Sequence, residues 1–284
     1  MTDLSPQAYA FLSDVVYRRS RIRLGPDRQA FVAGRLANRL RQLGCTSFDD
    51  YCRLLDASHD DEAERLIDLI STNHTHFFRE PAHFEILGRD VLPEVAARAT
   101  ASGRGLRVWS AAAASGEEAY SIAIVLAEQP ITLLPHGWIV HASDISRRML
   151  DRCRLGIYEA AKVNLPDPQF LGRHFLRGFG EREGMYRVKP ELRRHVSVMP
   201  INLFQPRYPL PRGQDVIFCR NVMIYFDAES RQALVDRLFD QLAPGGFLFV
   251  GHSESLLDLR HGFLQVGPSV YERPLERASH GFAL

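Results

Sequence analysis

Length, composition and charge exclude several classes of protein. The chain has 284 residues, of which 45% are hydrophobic and 24% charged, the balance of an ordinary globular protein. A formal net charge of +1 gives no reason to expect nucleic acid as a partner. The longest apolar stretches, such as AYSIAIVLA at residues 119–127, are far shorter than the ~20 residues that a membrane span needs.

The N-terminus and the cysteines point to one compartment. MTDLSPQAYAF has no basic region followed by an apolar core, so we expect no signal peptide. The cysteines are scattered without C-x-x-C spacing, which argues against a structural zinc site or a disulfide framework: Cys45, Cys52, Cys153 and Cys219. Both features predict a protein of the reducing cytoplasm, with no membrane insertion.

Helical periodicity dominates the first eighty residues. Apolar residues recur at helical spacing over Pro6–Arg19, where Ser5 is placed to cap the helix. The pattern repeats over Pro26–Leu43 and, in shorter pieces, over Phe48–Leu55 and Glu62–Ile70. We therefore predict an all-helical domain over residues 1–80.

Arginine is concentrated within this predicted domain. Between Arg18 and Arg41 there are eight arginines and one acidic residue, Asp27. The cluster is a candidate surface for an acidic partner, although a solvated helix face is an equally good interpretation of the charges alone.

Strands alternate with helices after about residue 100. Short apolar runs at Leu106–Trp109, Trp138–Ala142, Asp215–Cys219 and Phe247–Val250 are typical of buried strands, and the last two flank a predicted helix at Glu229–Leu242. This alternation predicts an α/β domain over residues 81–284, with a parallel sheet covered on both faces.

Two parts of this second domain depart from the alternation. Gly262–Val266 and Ser269–Arg273 flank a Gly-Pro turn and predict a closing antiparallel pair. Between about residues 155 and 199 the periodicity breaks up among glycines and polar residues. We predict an inserted antiparallel β subdomain there, built around Met185–Val188 and His195–Val198.

The turn after the first predicted strand carries the most chemical information. Four alanines, a serine and Gly116 precede a helix that opens with Glu117 and Glu118. Small side chains let a ligand approach the backbone, but two glutamates at a helix N-terminus would repel a pyrophosphate. Asp144 ends the next strand, where an acid can take the hydroxyls of a ribose. The combination favours a nucleoside without phosphates, such as S-adenosylmethionine, over a nicotinamide cofactor; alternatively, the glutamates only cap a helix and Asp144 only makes a turn.

Two further segments offer polar side chains. Arg220 and Asn221 follow the third predicted strand and should reach the same crevice at the carboxyl ends of the strands. No Asn/Asp-Pro-Pro-aromatic loop is present, which counts against a nitrogen acceptor. The segment 71–80 joins the domains; its His74 and His76 lack metal-ligand spacing, so we expect no metal, and an interdomain hinge is the plainer interpretation.

Five motifs in order resemble the CheR family of chemotaxis receptor methyltransferases. They are TNHTHFFRE at 72–80, WSAAAASGEEAYSI at 109–122, ASDI at 142–145, FCRNVMIYFD at 218–227 and GHSE at 251–254. The resemblance extends over essentially the whole chain. It implies a Rossmann-like S-adenosylmethionine-dependent methyltransferase fold with a helical N-terminal domain and an inserted β subdomain.

The resemblance also implies an activity and a set of site residues. The expected reaction transfers the methyl group of S-adenosylmethionine to glutamate carboxylates of chemoreceptors, with S-adenosylhomocysteine as the product and no metal. Arg79 and Tyr225 would lie beside the transferring methyl. The residues that match cofactor-contacting positions of the family are Asn73, Thr75, Arg79, Glu118 (with Glu117 as the less favoured of the pair), Asp144, Asn202, Leu203, Arg220 and Asn221.

Partners follow from the same resemblance. The basic helix Pro26–Leu43, through Arg35 and Arg39, could dock on the cytoplasmic helical region of a methyl-accepting chemoreceptor. The loop LRGFG at residues 176–180 resembles one that grips a receptor C-terminal peptide, although a plain β-turn is an equal alternative. We expect a monomer. A binding module of the same fold that does not turn over is the main alternative, and the presence of Arg79 with Tyr225 argues against it.

Overall fold

A computed structural model describes residues 3–57 and 61–275 of the chain. Its N-terminal part consists of helices α1 (Pro6–Ser20), α2 (Gln29–Leu43), α3 (Phe48–Ala57) and α4 (Asp61–Ile70). All of the helices predicted in this part are confirmed to within a few residues, α2 being preceded by a short 3-10 turn at Pro26–Arg28.

Local sequence sets the ends of the first two helices. The side chain of Ser5 accepts a hydrogen bond from the backbone N–H of Ala8 and caps α1. Gly44, in the left-handed conformation, ends α2. The four helices enclose a core of their own that is separate from the sheet, formed by Leu12, Val16, Val32, Leu36, Tyr51 and Leu66 among others.

The remainder of the described chain alternates between helices and strands. A helix with a π-helical turn at Leu87–Val91 leads into the sheet, and its two α-helical parts are α5 (Ala82–Ile86) and α6 (Leu92–Ala101). The other helices are α7 (Glu117–Ala127), α8 (Arg147–Leu155), α9 (Gln169–His174), α10 (Pro190–Arg193) and α11 (Ala228–Gln241). The strands are β1 (Leu106–Ser110), β2 (Trp138–Asp144), β3 (Ile157–Glu159), β4 (Phe175–Arg177), β5 (Met185–Val188), β6 (Val196–Pro200), β7 (Gln214–Cys219), β8 (Leu242–Val250), β9 (Leu264–Gly267) and β10 (Val270–Glu272).

Seven strands form the central sheet in the order β6-β2-β1-β7-β8-β10-β9. The first five run parallel, and β10 and β9 close the sheet antiparallel, as predicted for the last pair. The chain leaves β1 toward β2 on one side and returns to pair β7 on the other. The carboxyl ends of β1 and β7 therefore flank the switch point at which open α/β sheets bind ligands. This architecture confirms the predicted fold class.

A separate sheet of three antiparallel strands, which we call the small sheet, has the order β3-β5-β4. The prediction that His195–Val198 pairs with Met185–Val188 is wrong. Val196–Pro200 instead lies at the edge of the central sheet, parallel to β2, with Val140 opposite Val196. A short apolar run carries no information about its partner, which explains the error. The proposed domain boundaries stay predictions.

No helix within residues 3–57 and 61–275 combines the length and the apolar character that crossing a membrane requires.

Candidate active site

A cleft lies between the helical N-terminal part and the carboxyl ends of the parallel strands. It contains about 1130 Å³ of space that no atom fills, part of it open to solvent. The cleft is concave and brings apolar and polar side chains together, as sites for small molecules usually do. Every residue for which the sequence predicted a catalytic or cofactor-binding role lines this cleft: Asn73, Thr75, Arg79, Glu118, Asp144, Asn202, Leu203, Arg220, Asn221 and Tyr225.

The turn after β1, Ala111–Gly116, is here called the cofactor loop. Ala111, Ala112 and Ala114 line the cleft, so a ligand there meets backbone rather than bulky side chains. Gly116 has φ of 98°, and a Cβ added to it would lie 2.5 Å from the sulfur of Cys153. Only glycine fits at this position.

The carboxylate of Asp144 borders the cleft beside the cofactor loop. It accepts hydrogen bonds of 2.9 Å from the backbone N–H of Ala114 and of 2.9 Å from that of Ser146. Burial raises the pKa of Asp144, and the backbone donors oppose that shift. Since each carboxylate oxygen has a second lone pair, Asp144 can still accept two further hydrogen bonds, as a ribose diol would offer.

Glu118 is the member of the glutamate pair that faces the cleft. Its carboxylate accepts hydrogen bonds from the Ser110 hydroxyl at 2.7 Å and from Nε of Arg220 at 2.8 Å. Glu117 does not line the cleft and instead accepts a hydrogen bond from the Ser115 hydroxyl at 2.7 Å. The structure thus shows which of the two adjacent glutamates faces the cleft, whereas the sequence only favoured Glu118 over Glu117.

Arg220 is a buried cation at the centre of a network. Its side chain is 1% exposed, and besides Glu118 it donates to the backbone carbonyl of Arg79 at 2.7 Å and to the Nδ1 atom of His83 at 2.9 Å. It also forms a 3.3 Å ion pair with Glu80. Its charge and its donors are therefore engaged within the protein, which makes Arg220 a support of the cleft more than a free contact for a ligand.

Glu80 and His83 are functional candidates that sequence reasoning did not identify. Burial and the neighbouring Arg220 lower the pKa of His83 to about 4, so its ring is neutral at neutral pH and can accept from the guanidinium. Glu80, His83 and His252 have ligand atoms within 4.8 Å of one another. The cationic Arg220 already contacts two of these three side chains, which disfavours a metal cation among them. Glu80 is the last residue of the TNHTHFFRE motif, but nothing in that motif indicates its pairing with Arg220, and His83 lies outside all five motifs.

A second buried carboxylate shapes the loop after β7. Glu254, in the GHSE motif, accepts hydrogen bonds from the backbone N–H groups of Asn221 at 2.6 Å, Met223 at 2.7 Å and Gly251 at 2.8 Å. Burial raises the pKa of Glu254, which the backbone donors oppose. Glu254 stabilises Asn221 at φ of 58°, in the left-handed region that asparagine tolerates. The motif was noticed in the sequence, but this role was not.

The helical part holds the same loop from the other side. The backbone N–H of Arg23 donates to the carbonyl of Tyr225 at 2.9 Å, and the hydroxyl of Tyr17 donates to Asp227 at 2.6 Å. The hydrogen bond from Tyr17 holds the pKa of Asp227 below its usual range. Tyr225 therefore lies where the two parts of the chain meet at the cleft.

The linker of residues 71–80 brings three of the predicted residues to the cleft. Asn73 donates to the Ser71 hydroxyl at 3.1 Å, and Nη1 of Arg79 donates to the carbonyl of His74 at 2.9 Å. The backbone N–H of Phe78 donates to the Ser121 hydroxyl on α7 at 2.9 Å, which fixes the linker to the sheet domain. This segment is thus an ordered part of the site as well as a connection.

Asn202 lies at the opposite side of the cleft, after β6. Its amide donates to the carbonyl of Arg19 at 2.6 Å and its side-chain oxygen accepts from the N–H of Phe204 at 2.9 Å. Leu203 is buried beside it. Together they offer an apolar surface with a fixed amide, which suits a flat heteroaromatic ring.

Comparison with known proteins identifies the family of the chain. The family described as CheR methyltransferase, all-alpha domain, matches residues 7–71, and CheR methyltransferase, SAM binding domain, matches residues 73–271. A chemotaxis protein methyltransferase of Escherichia coli (strain K12) is 41% identical, over 94% of this chain and 91% of its own. Chemotaxis protein methyltransferase 2 of Pseudomonas aeruginosa is 40% identical, over 90% of this chain and 89% of its own.

Among solved structures, the N-methyltransferase NodS of Bradyrhizobium japonicum WM9, in complex with S-adenosylhomocysteine, is 17% identical. The match covers 59% of this chain and 61% of that one with a TM-score of 0.30, too distant to carry an argument. The two family matches and the identities near 40% carry the assignment, and they confirm the resemblance: the chain belongs to the CheR methyltransferase family.

Proposed function

We propose that this protein transfers the methyl group of S-adenosylmethionine to the side-chain carboxylate of glutamate residues on chemoreceptors. One observation carries the proposal, namely the charge arrangement along the cleft. Glu118 and Asp144 border its sheet side, whereas Arg23, Arg28 and Arg79 line it without ion pairs among the described residues. The acidic side suits the cationic sulfonium cofactor, and the basic side suits an anionic acceptor.

The residues present fit the cofactor. Asp144 has acceptor capacity left for the ribose hydroxyls, and Glu118 offers a carboxylate to the amino group of the methionine part. Asn202 and Leu203 suit the adenine, and the alanines of the cofactor loop leave room for the chain between these groups. When bound, S-adenosylmethionine supplies an electrophilic methyl group.

The chain's own residues have little proton chemistry to perform. A glutamate has an ordinary pKa of ≈ 4.3 and is already ionised at neutral pH, so no general base is required. The remaining task is to hold the carboxylate in line with the donor, and such alignment can supply ~7–11 kcal/mol of a barrier. We assign this positioning to Arg79 and to the hydroxyl of Tyr225, both of which line the cleft.

The helical part supplies a surface for the receptor. Arg28 and Arg35 lie over the ring of Phe31 at 5.2 Å and 5.0 Å from its centroid, and both arginines are exposed. Because Arg28 and Phe31 also line the cleft, the surface continues to the site. Arg39, offered from the sequence as a docking residue, is instead committed to an ion pair with Glu62 inside the helical part.

The small sheet offers a second candidate contact with the receptor. Phe179 follows β4 and is 88% exposed, and Leu176 on β4 is 47% exposed. These two exposed apolar side chains at the end of β4 suit a short peptide with an aromatic anchor. We propose the receptor C-terminus as that peptide.

Labelled methyl transfer to receptor-containing membranes tests the proposed function. The purified protein is incubated with S-adenosylmethionine labelled in the methyl group, and labelled receptor is then treated with mild base. Because carboxyl esters hydrolyse in base, we expect the receptor label to be released as methanol. Label that resists base would show an amine acceptor and overturn the proposal. Binding of S-adenosylmethionine without any receptor label would favour a sensing module.

A further inference from the structure

The small sheet meets the cofactor loop at one side chain. Tyr158 lies on β3 and is buried. Its hydroxyl donates a 2.8 Å hydrogen bond to the backbone carbonyl of Ser115 in the cofactor loop. A Cβ added at Gly116 would lie 3.1 Å from the same hydroxyl, so Tyr158 borders two consecutive residues of the loop.

The cofactor loop has a face toward the cleft and a face toward Tyr158. Ala111, Ala112 and Ala114 line the cleft, whereas Ser115 accepts the hydrogen bond from Tyr158. Ala114 has φ of 45°, in the left-handed region that residues with a Cβ disfavour. Contacts from outside must hold the loop in this conformation, and the hydroxyl of Tyr158 is one of them.

Other aromatic rings fix Tyr158 itself. Phe77 of the linker packs edge-on against Tyr158 with ring centroids 4.9 Å apart, and against Phe175 on β4 with centroids 5.5 Å apart. Tyr158 also lies opposite Tyr186 in the antiparallel pairing of β3 with β5. The position of its hydroxyl therefore depends on how the small sheet packs against the linker.

We propose that Tyr158 is a positioning residue that couples the small sheet to the cofactor loop, so that the packing of the small sheet sets the affinity of the cleft for its cofactor. The identity of that cofactor rests on the proposed function. Coupling of this kind is reciprocal. A ligand that requires this loop conformation will also stabilise the small sheet that supports it.

Two matched variants test the coupling. Tyr158→Phe removes the hydroxyl and keeps the ring contacts. Tyr120→Phe removes a hydroxyl of the same kind, since the hydroxyl of the buried Tyr120 donates a 2.8 Å hydrogen bond to the carbonyl of Cys153 and none to the cofactor loop. We expect Tyr158→Phe to raise the Kd for S-adenosylhomocysteine and the KM for S-adenosylmethionine by about three- to tenfold, with kcat unchanged. Tyr120→Phe should leave both constants within about twofold of wild type. It should lower the melting temperature by about as much as Tyr158→Phe does.

Hydrogen exchange supplies the reciprocal readout. In wild type, saturating S-adenosylhomocysteine should slow amide exchange in β3 and β5 as well as in α7. In Tyr158→Phe, at ligand concentrations that saturate the variant, slowing should persist in α7 and be lost in β3 and β5. A purely structural role for Tyr158 would not move this distribution.

The outcomes separate this inference from the proposed function. Equal ligand affinity in wild type and Tyr158→Phe, with ligand-dependent protection of the small sheet in both, would overturn the coupling. Equal losses of affinity in Tyr158→Phe and Tyr120→Phe would also overturn it, since both would then act through stability alone. Failure of wild type to bind either ligand would instead contradict the proposed function.

Discussion

The two sides of the cleft are built differently. On the sheet side, Glu118 and Arg220 are buried and hydrogen-bonded to each other, and Asp144 is fixed by backbone donors. On the helical side, Arg23 and Arg28 are exposed and line the cleft. A rigid, internally satisfied surface suits one small ligand of fixed shape, whereas exposed cations suit a protein surface that arrives and leaves. From this difference we propose that the cleft divides cofactor binding and receptor binding between its two sides.

Removal of Arg220 should disrupt the hydrogen-bond network on the sheet side of the cleft. It gives the largest expected loss of stability. Arg220→Met leaves Glu118 and Glu80 without their cation, and breaking a buried pair in this way costs about 3–5 kcal/mol in the free energy of unfolding. Urea denaturation measures this change in the free energy of unfolding. Arg89→Met is the control, because Arg89 is 74% exposed and pairs only with the adjacent Asp90 among the described residues; its urea midpoint should stay close to that of wild type. Equal urea midpoints for Arg220→Met and Arg89→Met would show that the ion pairs of Arg220 do not stabilise the fold.

Tyr225 lies where the two sides of the cleft meet. Removal of its hydroxyl tests whether Tyr225 positions the acceptor carboxylate. Tyr225→Phe should lower kcat by about ten- to a hundredfold, because the acceptor and the methyl group are no longer held in line. The affinity for S-adenosylhomocysteine, measured by calorimetry, should remain nearly that of wild type. Equal losses of kcat and affinity would show that Tyr225 binds the cofactor and does not position the acceptor.

A pH titration of stability sharpens the account of the sheet side. The ordinary pKa of a histidine is ≈ 6.5, and that of His83 is lowered to about 4 in the folded chain. Between these values the unfolded chain binds a proton at His83 and the folded chain does not, so folding stability falls as the pH falls. From pH about 7 to pH about 5 the contribution is on the order of 2 kcal/mol.

His83→Asn isolates this contribution, because an asparagine oxygen can still accept from Arg220 but does not titrate. Relative to its own stability at neutral pH, the variant should lose less than wild type as the pH falls. Denaturant melts at several pH values measure the difference. Parallel pH profiles for the two proteins would rule out a neutral, buried His83.

Charge reversal at an exposed arginine of the helical side should give the smallest change in stability. Arg35→Glu removes an exposed cation and should leave the free energy of unfolding within about 0.5 kcal/mol while slowing methylation of intact receptor. Arg39→Met should instead destabilise by about 1–3 kcal/mol, because the buried Glu62 loses its ion pair and, within residues 3–57 and 61–275, keeps only the hydrogen bond from the Tyr51 hydroxyl at 2.9 Å. An unchanged receptor rate in Arg35→Glu would remove the docking role from this surface.

Much of the site could be predicted from the sequence because its residues lie in local motifs. Asp144 is the last residue of β2, and Glu118 lies in the first turn of the helix that follows β1 and its loop. A strand that ends in a small-residue turn predicts a ligand site without tertiary information. The helices of the N-terminal part could be predicted because their apolar spacing and caps are local as well.

What could not be predicted depends on contacts that are distant in sequence. The role of Glu80 arises from Arg220 and Asn221, far along the chain, and that of Glu254 from backbone donors after another strand. The commitment of Arg39 to Glu62 is equally invisible in a list of charges. The pairing of Val196–Pro200 with β2 was missed for the same reason.

The most direct test of the division between the two sides compares Glu118→Gln with Arg28→Glu in one steady-state assay. Both substrates, S-adenosylmethionine and receptor, are varied for each protein. We predict that Glu118→Gln raises the KM for S-adenosylmethionine and leaves the KM for receptor unchanged, and that Arg28→Glu does the reverse. If both variants change the KM for the same substrate, the cleft is not divided in this way.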